Sequence, residues 1–385
     1  MVENKPRILI FIDYFLPGYK AGGPIKSVAN IVKTLGDTCH FTIVTANHDL
    51  NTRQTYQSLP YNERIDFGQS KIIYLSKNNV NFSTLRYIIT TEDYDFVHLN
   101  SLFSLYFTLL PIFLVKRHRK DVKILLAPRG MLSSGALKIK TLKKRLFLGI
   151  TRKINFFRNI YWHVSSTIEQ NEAIKYYGSN IKTIIAPAIT LIEEVNLAEK
   201  PTKKVGEANV FFLSRIQSIK NLDGAIATLK YFNDLPVKIN FDILGPVEDE
   251  AYWQQCQKLI AELGANIKVN YLGGVPNYDI KEHLKKYHFL FLPTWNENYG
   301  HAIVEAFSNG CPAIISDKTK WLNLEQKRVG WDVEPKNPEN FIRPLKLALD
   351  MNHAEYLIWA ESCLNFVATE IYNHDIIEQN KALFT

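Results

Sequence analysis

The stretch that decides the fold is FLPTWNENYGHAIVEAFSNGCPAIIS, Phe291 to Ser316. An apolar run, KYHFLFLP, leads into it and reads as a buried strand stopped at Pro293. A polar turn, Thr294 to Asn298, comes next. Then follow Gly300, the helical pattern HAIVEAFS, and a stop at Asn309-Gly310 with Pro312 behind it. The β-rich run AIIS completes strand, loop, helix, strand. This is one parallel βαβ unit, because parallel neighbours need a crossover of this kind. Ligands of open α/β sheets collect at the carboxyl ends of strands, against helix N-termini. Glu297, Asn298, Tyr299 and Gly300 hold that position here, and Glu305 lies further along the helix. The unpaired N–H groups of a helix start suit a phosphate. Carboxylates on either side suit sugar hydroxyls better. A site that wants both is a site for a nucleotide-sugar.

Outward from this stretch, 385 residues and 46% apolar content describe a globular chain of two ordinary domains. The N-terminus has no signal-peptide layout, with Glu3 in the would-be charged region. The longest apolar run, Leu102 to Val115, is broken by Pro111 and too short for a bilayer. Cys39, Cys256, Cys311 and Cys363 are scattered without metal spacing, which fits buried thiols in a reducing cytoplasm. The net charge of +8 is unevenly spread. No acidic residue lies between Asp121 and Glu169, and KRHRK (Lys116 to Lys120) comes just before that interval. The interval itself holds Lys123, Arg129, Lys138, Lys140, Lys143, Lys144, Arg145, Arg152, Lys153 and Arg158. Among them are interleaved Leu137, Ile139, Leu142, Leu146, Phe147, Ile150, Ile154 and Phe157. One reading is a solvated amphipathic helix packed on its domain. The other is a surface for anionic lipid headgroups, each basic residue adding about 1 kcal/mol. No nucleic-acid-binding motif is present, so nucleic acid is not an expected partner.

The rest of the chain repeats the αβ rhythm. Strand-like runs RILIFIDY, HFTIVTAN, KIIYLS, FVHLN, KILLAP, IYWHVSS and IKTIIAPA fill residues 1–190. Residues 191–208 change composition and read as a linker. NVFFLSR, KINFDILGP and NIKVNYLGGVP then open a second domain over residues 209–364. After the first strand the glycines are Gly18, Gly22 and Gly23, which is not a GxGxxG motif, and Asp49 lies beyond the second strand rather than at its end. A nicotinamide enzyme is therefore disfavoured. In the first half, strand ends carry His98, Asn100, Arg129 and Gly130; for His98 a structural and a functional reading stand level. In the second half, strand order brings Arg215, Lys220, Gly245, the turn Gly273 to Pro276 and Glu297 to one sheet edge. An Arg and a Lys beside a helix start are the chemistry of a diphosphate clamp. Arg215 alone could equally be one half of a surface ion pair.

FLSRIQSIKNLDGAI, GPVEDEAYW and PTWNENYGHAIVEAFSNGCPAII resemble the donor half of the retaining GT-B glycosyltransferases of family 4. AGGPIKSV and APRGML resemble the N-terminal segments of one branch of that family. The resemblance implies an α/β chain of two Rossmann-like domains, their parallel sheets facing across a cleft, with residues 365–385 crossing back to the first domain. It implies no metal and no cofactor, since Arg215 and Lys220 neutralise the donor's charge. It assigns Glu297 to donor-sugar hydroxyls and Glu305 to the ribose. The backbone of Asn298, Tyr299 and Gly300 goes to sugar and phosphate, and the turn holding Val275 to the base. Gly245 joins the donor set, and Gly22 and Gly23 approach the diphosphate from the first domain. His98, Asn100 and Arg129 fall to the acceptor half, although many relatives have His-Gly where this chain has Arg129-Gly130 and a His where it has Asn100.

The expected reaction is retaining transfer from a nucleotide-diphosphate sugar to an acceptor hydroxyl, with Arg215, Lys220, Glu297 and His98 as the catalytic set. The acceptor is expected to be a lipid-linked or oligosaccharide intermediate of surface glycan assembly. The setting is the cytoplasm, peripheral to an anionic membrane face. Two other classes compete: a sugar phosphorylase or sucrose-type synthase with a soluble acceptor, and a non-catalytic nucleotide-sugar-binding protein.

Overall fold

The computed structural model describes residues 5–138, 141–191, 194–276 and 279–385. Glu3, Ile139, Lys140 and the side chain of Lys138 lie outside that description. The chain forms two compact units: Met1–Ile189 with His374–Thr385, and Thr190–Asn373.

The first unit contains, among the described residues, β1 (Arg7–Phe11), β2 (His40–Ala46), β3 (Arg64–Phe67), β4 (Ser70–Leu75), β5 (Phe96–Leu99), β6 (Lys123–Leu126), β7 (Tyr161–Val164) and β8 (Lys182–Ile185). They form one sheet in the order β3-β4-β2-β1-β5-β6-β7-β8. Every pairing is parallel except the edge pair β3–β4, which is antiparallel. Both faces are covered, so β1 is almost wholly apolar. Ile8 and Ile10 join one core with Ile25, Val28 and Ile31 of the helix Gly23–Leu35. Leu9 and Phe11 join the other with Leu85, Ile112 and Trp162. The closing segment belongs to this unit: the Phe384 ring meets Phe41, Phe96 and His98 edge-on at 5.7, 5.9 and 5.8 Å.

The second unit contains β9 (Glu207–Leu213), β10 (Lys238–Leu244), β11 (Ile267–Gly273), β12 (Phe289–Leu292), β13 (Ala313–Ser316) and β14 (Gly330–Val333). Their order is β11-β10-β9-β12-β13-β14, all parallel. This is the doubly wound 3-2-1-4-5-6 arrangement, whose direction reverses between its first and fourth strands, here β9 and β12.

The stretch expected as a linker is packed into this unit. Lys203 is 2% exposed. Its ammonium donates to the carbonyls of Leu349 and Met351 at 3.0 and 2.9 Å, closing the end of the helix Ile342–Asp350. Burial pushes that ammonium down to about 8. Lys203→Met takes the ammonium from both carbonyls, of which that of Leu349 keeps the Gly206 N–H at 2.9 Å, and is expected to cost about 1–3 kcal/mol, read as a lower denaturation midpoint. An unchanged midpoint would count against the cap. The helix His353–Phe366 also stays in the second unit, so the return to the first begins at His374 rather than at residue 365.

Candidate active site

β12 is fully buried and delivers the chain to Pro293 at the point where the sheet reverses. Asn221 Nδ2 donates to the Pro293 carbonyl at 2.8 Å. The Trp295 N–H and Thr294 Oγ1 donate to the Ile219 carbonyl at 2.9 and 3.1 Å. These bonds fasten the turn after β12 to the short helical turn Ser218–Lys220 that follows β9. Lys220 and Glu297, 77 residues apart, are thereby brought together, with Nζ 2.6 Å from Oε2. Both side chains are largely covered, at 11% and 19% exposure. Arg215, at the end of β9, donates from Nη1 to Glu248 Oε2 at 2.7 Å. That pair is about a third exposed, where an ion pair stabilises by ~0–1 kcal/mol. It can be exchanged for a phosphate at small cost.

Gly300 caps the helix His301–Ser308 in the left-handed region, φ 78°. A Cβ there would lie 2.9 Å from Ile303 Cδ1 and 3.2 Å from both Glu297 Cγ and Trp321 Nε1, so the close approach requires glycine. Asn298 and Glu305 are half-buried around this helix start. Tyr299 turns its phenol inward, 5% exposed and 2.7 Å from Thr190 Oγ1, while its carbonyl accepts from Trp321 Nε1 at 2.8 Å. Its ring is thereby committed to the interior of the unit.

Gly245 has a packing role beside the one expected of it. Its φ is 150°, and an added Cβ would lie 1.8 Å from the Ser214 carbonyl oxygen. Its N–H donates to the Gly273 carbonyl at 2.7 Å. The glycine lets the ends of β9 and β10 pack, so its geometry explains it without a donor. Val275 is half-buried in the turn beyond Gly273.

In the first unit, the sheet reverses between β1 and β5. Gly22, at φ 71° and ψ −132°, opens the helix Gly23–Leu35. Asp49 shapes the loop before it, accepting from the N–H groups of Tyr19 and Lys20 at 2.8 and 3.1 Å and of Leu50 at 2.7 Å. That carboxylate is committed to backbone.

His98, expected in the catalytic set, is 1% exposed. His163 Nε2 lies 2.9 Å from the Ala186 carbonyl, which can only accept, so Nε2 carries the proton and Nδ1 is an acceptor. His98 Nε2 then donates to that Nδ1 at 3.1 Å. Burial holds both rings neutral, His98 well below its usual range and His163 down to about 3. The geometry makes His98 a buried positioning group for the sheet, and the functional reading is corrected on that ground. Between about pH 3 and the unfolded value of about 6.5, the unfolded chain binds more protons than the folded one. The pair therefore destabilises the fold as pH falls below about 6.5. Glu172, raised to about 7 by burial, acts in the opposite direction. The useful measurement is thus a difference: wild type should lose more stability than His98→Asn between pH 7.5 and 5.5. Equal losses would remove the neutral pair.

Asn100 and Arg129 do meet. Asn100 Oδ1 accepts from Arg129 Nη2 and Nε at 2.6 and 3.1 Å. Burial lowers the guanidinium to about 10. Glu169, which the sequence reading passed over, is 2% exposed and accepts from the Gly130 N–H at 2.6 Å and the Ser165 N–H at 2.8 Å. The pattern Ser166-x-x-Glu169 at a helix start was its only sequence signal.

Two doubly wound parallel sheets in one chain are the GT-B fold, that of a large class of glycosyltransferases. Residues 194–361 match the protein family described as glycosyl transferases group 1. The chain is similar over 98% of its length to Anabaena Alr3699/HepE crystallised with UDP and glucose, at 14% identity, a TM-score of 0.70 and 98% coverage of that chain. It is similar to WaaG, a glycosyltransferase involved in lipopolysaccharide biosynthesis, at 14% identity and a TM-score of 0.65, covering 98% of this chain and 99% of that one. It is also similar to the sucrose-phosphate synthase of Thermosynechococcus elongatus, at 16% identity and a TM-score of 0.64, with coverage of 99% and 95%. At these identities the likeness is one of fold. No curated protein sequence matches the chain. Among the described residues no helix is long and apolar enough to cross a membrane.

Proposed function

We propose that the protein is a retaining glycosyltransferase of family 4 that uses a nucleotide-diphosphate sugar. The observation that carries this is the Lys220–Glu297 pair beside the helix start at Gly300, with Arg215 on the adjoining strand end of the same sheet. The family match over residues 194–361 supports it. Glu297 is poised for a hydroxyl of the donor sugar and Glu305 for the ribose. Charge develops on the leaving diphosphate, and Arg215, Lys220 and the helix N–H groups stabilise it. These cations take the place of a divalent metal, so transfer is expected to persist in excess EDTA; loss of activity restored by one metal ion would refute this. Arg129 and Asn100 are the groups offered to the acceptor.

The acceptor is proposed to be a lipid-linked or oligosaccharide intermediate of surface glycan assembly, met at an anionic membrane face inside the cell. What supports the membrane is the helix Thr141–Lys153 and the residue after it. Leu142, Leu146, Ile150 and Ile154 are 82, 63, 50 and 62% exposed, four residues apart along one stripe. Lys143, Arg145, Arg152 and Lys153 are exposed beside them. The protein should float with liposomes containing anionic lipid and be released by salt. No binding at low salt overturns the membrane reading.

A screen of UDP-, GDP- and ADP-sugars tests the main reading. Turnover with a lipid-linked acceptor supports it. Phosphorolysis or transfer to a soluble sugar selects the competing enzyme, and binding without turnover selects a binding protein. UDP leads the screen because the solved relatives include complexes with UDP and UDP-glucose.

A further inference from the structure

The loop after β13 carries a further cation, distinct from Arg215 and Lys220. Lys320 is half-buried, with its ammonium 4.3 Å from the Tyr299 ring centre and 4.2 Å from that of Trp321. Those rings meet at 5.8 Å and 73°, forming an aromatic corner. The ammonium has no hydrogen bond to an acceptor and no ion pair among the described residues. Its neighbours' charges are already paired: Lys318 with Asp317 at 2.9 Å, and Lys220 with Glu297 at 2.6 Å. Burial alone pushes Lys320 down to about 8.

The corner is joined to the candidate site. Trp321 Nε1 donates to the Tyr299 carbonyl, and the same nitrogen and Glu297 Cγ both crowd the Cβ position of Gly300 at 3.2 Å. Lys320 therefore stands beside the same helix start as Glu297. Ring faces hold a cation in place without neutralising it. A carboxylate holds it by cancelling its charge. Arg215 and Lys220 are held by carboxylates, so a donor entering the site must break or share both pairs. Lys320 has no such partner to give up. A partly desolvated ammonium next to a helix N-terminus, itself a region of positive potential, is an arrangement that calls for an anion.

We propose that Lys320 is a third cation of the donor site and contacts the diphosphate of the bound nucleotide-sugar. This rests on the donor reading above. Lys320→Met keeps the methylene stem between the rings and removes the charge; Lys320→Arg keeps the charge. Whichever of UDP, GDP and ADP binds wild type most tightly is titrated into all three proteins, with its nucleoside as the control. Lys320→Met should weaken the diphosphate roughly ten- to a hundredfold while leaving the nucleoside unchanged, and Lys320→Arg should recover most of the loss. Equal diphosphate affinity in wild type and Lys320→Met overturns the proposal and leaves the donor reading intact. Parallel losses for diphosphate and nucleoside overturn it too, because they mark a disturbed fold. Wild type that binds none of the three overturns the donor reading, and this inference with it.

Discussion

Lys220→Met is expected to lower turnover with a nucleotide-sugar by roughly 10²- to 10³-fold, the scale of removing one preorganised charge donor from a developing anion. Lys220 is 9% exposed, and its ammonium rests on Glu297 at 2.6 Å. On the proposed function, the carboxylate serves a hydroxyl of the donor sugar and the ammonium its phosphate. Two contributions then need separating. Lys220 can act on the leaving group, or it can merely hold Glu297 in place. In the first case Lys220→Met weakens free nucleoside diphosphate as well as transfer, and Glu297→Gln does not. In the second case both variants leave diphosphate affinity alone and the double variant is no worse than either single one. Arg215→Ala should share the first pattern with a smaller effect, because its site is more open. Unchanged transfer in both Lys220→Met and Arg215→Ala would sink the clamp.

Gly245→Ala is expected to destabilise the second unit by about 3–5 kcal/mol, in the range kept for severe backbone conflicts. No rotamer change relieves an atom placed 1.8 Å from the Ser214 carbonyl oxygen, because the backbone fixes the position of the Cβ and the oxygen is main chain. Relief requires moving the end of β9 and with it Arg215. The readout is the denaturation midpoint without nucleotide. Normal stability with impaired diphosphate binding would overturn the packing account and favour the donor role.

The βαβ unit around Gly300 was legible because its punctuation is covalent. Pro293, Gly300 and Asn309-Gly310 stand just outside the strand Phe289–Leu292 and the helix His301–Ser308. The edge strand β3 was not anticipated, because RIDF lacks an apolar run and pairs only through a tight hairpin with β4. Side-chain direction was the harder loss. In a sheet covered on both faces, apolar residues occupy both sides, so a polar residue near a strand end carries no mark of which way it points. His98 was placed in the catalytic set for this reason, and it turns inward. Salt-bridge partners were equally hidden, since Glu248 and Glu297 reach Arg215 and Lys220 only through strand order.

The discontinuous first unit sets a timetable for synthesis. Its sheet leaves the ribosome early, yet the ring of Phe384 that completes the packing on Phe41, Phe96 and His98 is made only after the whole of the second unit. A nascent chain therefore carries an uncovered apolar face for as long as residues 190–373 take to emerge, at some 5–20 residues per second. The second unit is contiguous and can close on its own. The half of the protein translated first is the half finished last, and chaperone demand should follow that interval rather than the length of the chain.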